Sequence, residues 1–204
     1  MFAPFINIMR YRPFLILAFG VALCLFIIIE YIRVYLPDIH PIIGRVSKFY
    51  ATFIDGRENS DQFLLSHIYL LVGIALPVWI DSAHNCYHHN HHSSISVILP
   101  HLGWVSIGIG DSMGAIVGTY YGKHKWKGSS RTLEGSLSMY FSMILFLLLV
   151  TNIHASFVSG SIIASIVVAS TLTTLMEAFT CENDNLLLPL YYSTLIVSLI
   201  VITS

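Results

Sequence analysis

Charge is what this 204-residue chain has least of: Asp, Glu, Lys and Arg together make up 10% of it, against about a quarter in typical soluble domains. Its ten basic residues are offset to a net charge of −1, which leaves no electrostatic footprint for a phosphodiester backbone and excludes nucleic acid as a partner. Cysteine is scarce as well. Cys24, Cys86 and Cys181 form no C-x-x-C pair, so neither a disulfide framework nor a zinc ribbon is in view. The chain also lacks G-x-x-x-x-G-K-[ST], a kinase glycine loop and an H-R-D loop, which sets it outside the common soluble nucleotide-using folds. It has no G-x-S-x-G elbow and no H-E-x-x-H, and no internal repeat is evident.

What it has instead is apolar sequence, 55% of all residues. A hydrocarbon core about 30 Å thick needs roughly 20 apolar residues per helix, so six spans would use about 120 and leave the rest for loops. The apolar blocks are 14–29, 63–80, 95–109, 137–150, 157–176 and 186–202. Arg10 and Arg12 before the first block would suit a signal peptide, but Glu30, Tyr31 and Arg33 follow it rather than a small-residue cleavage site, so it is read as a membrane helix. The expected fold is all-α, a single polytopic membrane domain over 1–204. It is divided into an N-terminal flank (1–13), a cytoplasmic loop (30–62), a His-rich lumenal loop (81–94), a polar glycine-rich segment (110–135) and an acidic segment (177–185).

If each block crosses once, the loops 30–62, 110–135 and 177–185 share one face. Arg33, Arg45, Lys48, Arg57, Lys123, Lys125, Lys127 and Arg131 lie there, eight of the ten basic residues, and the positive-inside rule makes that face cytoplasmic. The same alternation brings Glu30, Asp111, Glu134, Glu177 and Asp184 to that boundary. Acids placed at the membrane edge mark a functional site by default.

The segment 108–135 carries the chemistry. Gly110, Gly114, Gly118 and Gly122 recur every four residues. On a helix they line one face, either for close helix–helix packing, within the chain or between copies, or so that bare backbone approaches an anion. Asp111 adjoins an apolar run and requires a cationic partner. Lys123, Lys125, Lys127 and Arg131 follow, with Trp126 among them, then the potential donors Gly128-Ser129-Ser130, and then Glu134. A basic patch alone would suit anionic lipid headgroups. Cations and hydroxyls beside carboxylates suit phosphates and their divalent metal, and phosphoryl transfer consists largely of such positioning and neutralisation. Glu177 ends another apolar run with Thr173 one turn earlier, and Asp184 or Asn185 is placed to cap the last helix. The cluster His84, His88, His89, His91 and His92 reads as a solvated loop without the fixed geometry of a metal site. His67 and His101 read as hydrogen-bonded packing residues. A transporter is disfavoured, because the charges gather at one face and no inverted repeat is visible.

The run Gly110-Asp111-Ser112-x-Gly114-x-x-x-Gly118-x-x-x-Gly122, the Trp126-x-Gly128 turn, Arg131-Thr132-x-Glu134-Gly135, Glu177-Ala-Phe-Thr and Asp184-Asn185-Leu-Leu-Leu-Pro189 together resemble the CTP-dependent polyprenol kinases. The similarity is narrowest to their dolichol-phosphorylating branch, which Glu30-Tyr31-Ile-Arg33 and Ser66-His67-Ile-Tyr69 also resemble. It spans about 27–192 and corresponds to the C-terminal part of those longer proteins. The chain departs from the pattern at Gly114, where Ala is usual, and at Ser130-Arg131, where two lysines are usual. The resemblance implies transfer of the γ-phosphoryl of CTP to dolichol at the endoplasmic reticulum membrane, giving dolichyl phosphate for protein glycosylation. Gly114, Gly118, Gly122, Lys123, Lys125, Lys127, Arg131 and Thr132 would bind CTP. Asp111, Glu134, Glu177 and Asp184 would be the catalytic acids, with Asp111 and Glu134 the first candidates to hold a divalent cation, Mg2+ by expectation. Metal ligand and base are left unassigned among the four. Phytol or diacylglycerol kinase activity, or a catalytically inactive short form, stand as alternatives.

Overall fold

The computed structural model describes residues 12–35, 65–87, 94–154, 159–180 and 184–203. Among these, five helices are long and apolar enough to cross a membrane: α1 (Arg12–Tyr35), α2 (Ser66–Tyr87), α6 (Leu133–His154), α7 (Gly160–Phe179) and α8 (Asp184–Thr203). Between α2 and α6 runs a sixth, broken passage. It comprises α3 (Ser94–Ile98), a 3-10 turn (Leu99–His101), α4 (Leu102–Trp104), a π-helical stretch (Val105–Asp111) and α5 (Ser112–Tyr121). The described residues contain no strand beyond one isolated bridge. The fold is the polytopic helical bundle that the apolar blocks imply.

Several boundaries differ from those read off hydropathy, each for a local reason. α1 continues past Ile29 to Tyr35 because Arg33 donates from Nε and Nη2 to Glu30 at 2.7 and 3.0 Å, one turn apart. Both side chains are buried, and paired charges can be carried on an apolar helix where lone ones cannot. α2 extends to Tyr87, into the stretch expected to be a His-rich loop; residues 88–93 lie outside the described residues, as do 36–64 of the expected cytoplasmic loop. The third block is not a plain span. Pro100 lacks the N–H a continuous helix needs, and a 3-10 turn forms there. The π-helical stretch that follows ends at Asp111, and such widened turns gather at functional positions.

The core is built from rows of side chains four residues apart. Met139, Met143 and Leu147 of α6 meet Leu188, Tyr192, Ile196 and Ile200 of α8, Ile162, Ile166 and Ala169 of α7, and Ile98, Leu99, Leu102 and Val105 of the broken passage. The Tyr192 hydroxyl is paired with Ser170 at 3.0 Å inside this core. Other hydroxyls close onto their own helices, among them Ser106 on Leu102 O, Thr151 on Leu147 O and Ser193 on Pro189 O, which satisfies those donors without water. His101 is fully buried and donates from Nδ1 to Val97 O at 3.0 Å, as expected of a packing histidine. At one end of the bundle Arg12 is paired with the buried Asp81 at 2.7 Å, so the start of α1 and the end of α2 share that face. α1 otherwise presents Phe14, Leu17, Val21, Leu25 and Ile28 outward, an edge helix against lipid.

The four-residue glycine period is used within the chain. A Cβ on Gly110 would strike Met143 at 2.8 Å, one on Gly118 would meet Thr132 Oγ1 at 2.9 Å, and one on Gly135 would meet the Gly114 carbonyl at 2.7 Å. At Gly110, Gly118 and Gly135 the packing partner is thus this chain itself. Gly135→Ala is expected to destabilise the bundle by about 1–3 kcal/mol through overpacking against backbone that cannot yield. A Cβ on Gly20, by contrast, would have nothing within 4 Å, and Gly20→Ala is expected to leave stability unchanged or raise it. Thermal unfolding of both variants in detergent micelles checks the contrast.

Candidate functional site

Between α5 and α6 the chain makes a short hairpin. Gly122 leaves the helix with φ −66° and ψ 114°. Leu133 N–H then donates to His124 O at 2.8 Å, Trp126 N–H donates to Arg131 O at 3.0 Å, and Lys125 bridges Thr132. The tip needs glycine: Gly128 has φ +87°, a left-handed conformation that costs other residues roughly 1–2 kcal/mol. Thr132 then caps α6, its Oγ1 accepting Gly135 N–H at 3.2 Å.

Three residues pin this hairpin to the bundle. Arg131 Nε lies 2.9 Å from Oε1 of Glu177, a carboxylate 7% exposed at the end of α7. Trp126 donates its indole N–H to Ser136 Oγ at 3.0 Å and packs edge-on against Phe179, with centroids 5.3 Å apart. His124 closes the base, donating its backbone N–H to both oxygens of Glu134 at 3.2 Å and placing Nδ1 2.7 Å from Oε1. One turn before Glu177, the Thr173 hydroxyl is buried without a hydrogen-bond partner among the described residues.

The result is a cleft of about 240 Å³ whose walls are Gly114, Ala115, Gly118 and Thr119 of α5, Ser130, Arg131 and Thr132 of the hairpin, Gly135 and Ser136 of α6, and Glu177 of α7. Of the residues singled out in the sequence, Gly114, Gly118, Arg131, Thr132 and Glu177 meet here. Asp111 closes the π-helical stretch just ahead of α5, three and four residues before Gly114 and Ala115, and does not itself line the cleft. Lys123, Lys125 and Lys127 are carried along the hairpin beside the cleft and do not line it; nor does Gly122, whose Cβ direction faces Thr132. Glu134, paired with Asp111 in the sequence reading, gives its carboxylate to His124 instead, and the acid in the wall is Glu177. Asp184 opens α8, and its side chain lies outside the described residues.

Backbone accounting narrows how an anion would be held. Three of the first four N–H groups of α6 are already engaged: Leu133 with His124 O, Gly135 with Thr132 Oγ1, Ser136 with Thr132 O. An anion held here would meet the side chains of Arg131, Thr119, Thr132 and Ser130, with the positive end of α6 behind them. Among the described residues no three His, Cys, Asp or Glu side chains converge. A divalent cation here would therefore take one or two carboxylates and complete its shell with phosphate oxygens and water, the habit of Mg2+.

Sequence reasoning missed His124 and Ser136. Each is bonded to a residue ten positions away, His124 to Glu134 and Ser136 to Trp126. That equal spacing is the mark of a hairpin feeding a helix, and Gly128 at its centre was the available signal.

The class this defines is a polytopic membrane protein with a polar cleft between α5, a basic hairpin, the start of α6 and the end of α7, where Arg131 faces Glu177. Along nearly all of its length the chain resembles the C-terminal part of the dolichol kinases. It is 32% identical to the human dolichol kinase over 191 residues, 92% of this chain and 34% of that protein. It is 36% identical to a dolichol kinase of Arabidopsis thaliana over 188 residues, 90% of this chain and 31% of that protein. With the dolichol kinase of Saccharomyces cerevisiae it shares 29% identity over 167 residues, 81% of this chain and 28% of that protein. The chain thus spans about a third of the length of the curated relatives it matches. No protein-family model matches it, and no solved structure matches it significantly.

Gly128→Ala is expected to loosen the hairpin by about 1–2 kcal/mol, the left-handed penalty for a residue with a Cβ. Tryptic cleavage after Lys125 and Lys127 in the otherwise native protein should accelerate several-fold over wild type, as read by timed digestion.

Proposed function

We propose that this chain carries the catalytic region of a dolichol kinase, transferring the γ-phosphoryl group of CTP to the terminal hydroxyl of dolichol. The observation that carries the reading is the cleft itself. Arg131, hydroxyl donors and close-packed glycine backbone face a carboxylate at the end of an apolar helix, in a chain similar to named dolichol kinases. An anion with a metal, beside an alcohol delivered from the bilayer, suits those components together.

In the reaction the dolichol hydroxyl oxygen attacks the γ-phosphorus. A new O–P bond forms as the bond to the bridging oxygen of CDP breaks, and the hydroxyl proton passes to a carboxylate; the products are dolichyl phosphate and CDP. Arg131 neutralises the equatorial oxygens, its planar guanidinium offering five N–H donors. Lys123, Lys125 and Lys127 attract the triphosphate to the rim, and Gly114 and Gly118 let it approach α5 without steric conflict. In this reading Asp111 and Glu177 serve a cation and take the proton; their hard oxygen donors fit Mg2+, which when bound would draw charge off the β- and γ-phosphates. Glu134 has a positioning role through His124, holding the hairpin. The basic hairpin faces the cytosol by the positive-inside rule, and the membrane is that of the endoplasmic reticulum.

The test is CTP-dependent formation of dolichyl phosphate by this chain in membranes lacking an endogenous enzyme. Wild type is expected to turn over. Asp111→Asn and Arg131→Ala are expected to lose roughly a hundredfold or more in kcat/KM, the scale of removing a group that stabilises transition-state charge. Arg131→Lys, which keeps a cation opposite Glu177, separates loss of chemistry from loss of fold. Turnover of Asp111→Asn at the wild-type rate sinks the reading.

A further inference from the structure

A second concavity adjoins the cleft. It is a groove of about 380 Å³ between α6 and α7, walled by Leu133, Leu137, Tyr140, Thr171 and Leu175 and closed at its polar end by Trp126 and Ser136. That volume falls within the roughly 300–1,000 Å³ of small-molecule sites. Its sides belong to the lipid-facing surface, since Leu133, Leu137 and Leu175 are all exposed in the bundle. Thr171 and Thr174 line it with their hydroxyls already given to Val167 O and Ser170 O, so the wall they present is effectively apolar.

The two concavities share one residue, Ser136, which lines both. Its oxygen accepts the Trp126 indole N–H, so its own proton is available to donate. Along one line, then, the surface changes from apolar wall, through an indole and a hydroxyl, to the polar cleft that holds Arg131 and Glu177.

We propose that the groove between α6 and α7 seats the alcohol-end isoprene units of the polyprenol and delivers the hydroxyl past Ser136 into the cleft. This rests on the reading of the cleft as the phosphoryl-transfer site. Continuity selects the occupant. A phospholipid would bring a charged, bulky headgroup against the indole, whereas a prenol brings a single hydroxyl that matches the serine at that end. The groove is open toward lipid and far smaller than a whole polyprenol, so only the head of the chain is gripped. Leu137, Thr171 and Leu175 then determine which acceptor alcohols are used, and the remaining tail lies in the bilayer.

Two experiments on the full chain in lipid nanodiscs test this. In the first, a prenol carrying a diazirine close to its alcohol end is photolysed without nucleotide, so the outcome is independent of the cleft chemistry. The expected label maps to α6 and α7 peptides holding Leu137 and Leu175, is competed by excess dolichol and not by phosphatidylcholine, and is lost in Thr171→Trp. Label on other helices, or equal competition by phosphatidylcholine, overturns the proposal. In the second, Thr171→Trp and Leu175→Trp, both at exposed positions that fill the groove without entering the core, are assayed for turnover. The KM for the prenol is expected to rise about tenfold or more with the KM for CTP unchanged, a loss confined to acceptor binding. An unchanged prenol KM in both variants overturns it. Should Arg131→Ala turn over normally while the label still maps to the groove, the cleft reading fails and the lipid site stands.

Discussion

A carboxylate at the end of an apolar helix is costly unless a cation meets it, and in this bundle Arg131 meets Glu177 at 2.9 Å. Much of the local architecture depends on that pair. The two residues come from different elements, so the contact draws the hairpin over the end of α7 and prevents it from extending into solvent as a basic strand. Once the hairpin lies there, Trp126 reaches both Phe179 and Ser136. The space left beneath is the cleft. The pair therefore does more than neutralise a charge: it sets the distance between the cation-bearing loop and the acid-bearing helix.

The floor of the same cleft depends on a different constraint, the absence of side chains where α5 meets α6. Gly114, Gly118 and Gly135 sit so close that any Cβ on Gly135 would press on the opposing backbone. Lipid tails are as apolar as leucine, so membrane helices associate through close packing and polar contacts rather than hydrophobic burial. The glycines satisfy that requirement and at the same time leave bare backbone facing the cleft. The two readings offered by the glycine spacing, packing and ligand approach, are thus compatible at Gly114 and Gly118. Gly110, which meets Met143 inside the bundle, serves packing, and Gly122 serves the turn.

The bundle and its long helices were legible because hydropathy reports directly on lipid exposure, and Glu177 was legible because an acid at the membrane edge marks a site by default; its ion pair with Arg131, which sequence grouped with the lysines, was not. Other features escaped for definable reasons. The helical extension to Tyr35 was hidden because Glu30 and Arg33 look like the start of a loop until their one-turn spacing is read as a pair. The broken passage from Ser94 to Tyr121 looked like one short span and one loop, since averaging apolarity cannot register a 3-10 turn, a π-helical stretch and a short glycine-bearing helix in succession. Glu134 looked equivalent to Glu177 because composition carries no direction. Only the hairpin, which folds His124 back onto it, turns that carboxylate toward the loop.

Moving a phosphoryl group onto a lipid alcohol poses a problem of dielectric. The triphosphate needs cations, hydroxyls and water; the acceptor's hydrocarbon needs none of them, and bringing either into the other's medium is expensive. Burying the whole reaction in the bilayer would strand the charges, and carrying it out in solution would expose the chain. The structure has a polar and an apolar concavity side by side, so that in the proposed reaction only one hydroxyl would have to cross between them. Ser136 is where they meet: it lies on the first turn of α6, where a polar wall and a lipid-facing wall share one residue. A helix start is well suited to that position, since its N-terminal turn carries partial positive charge while the turns beyond are apolar. The hairpin supplies the cations, α6 supplies the boundary, and the Arg131–Glu177 pair holds the two in register.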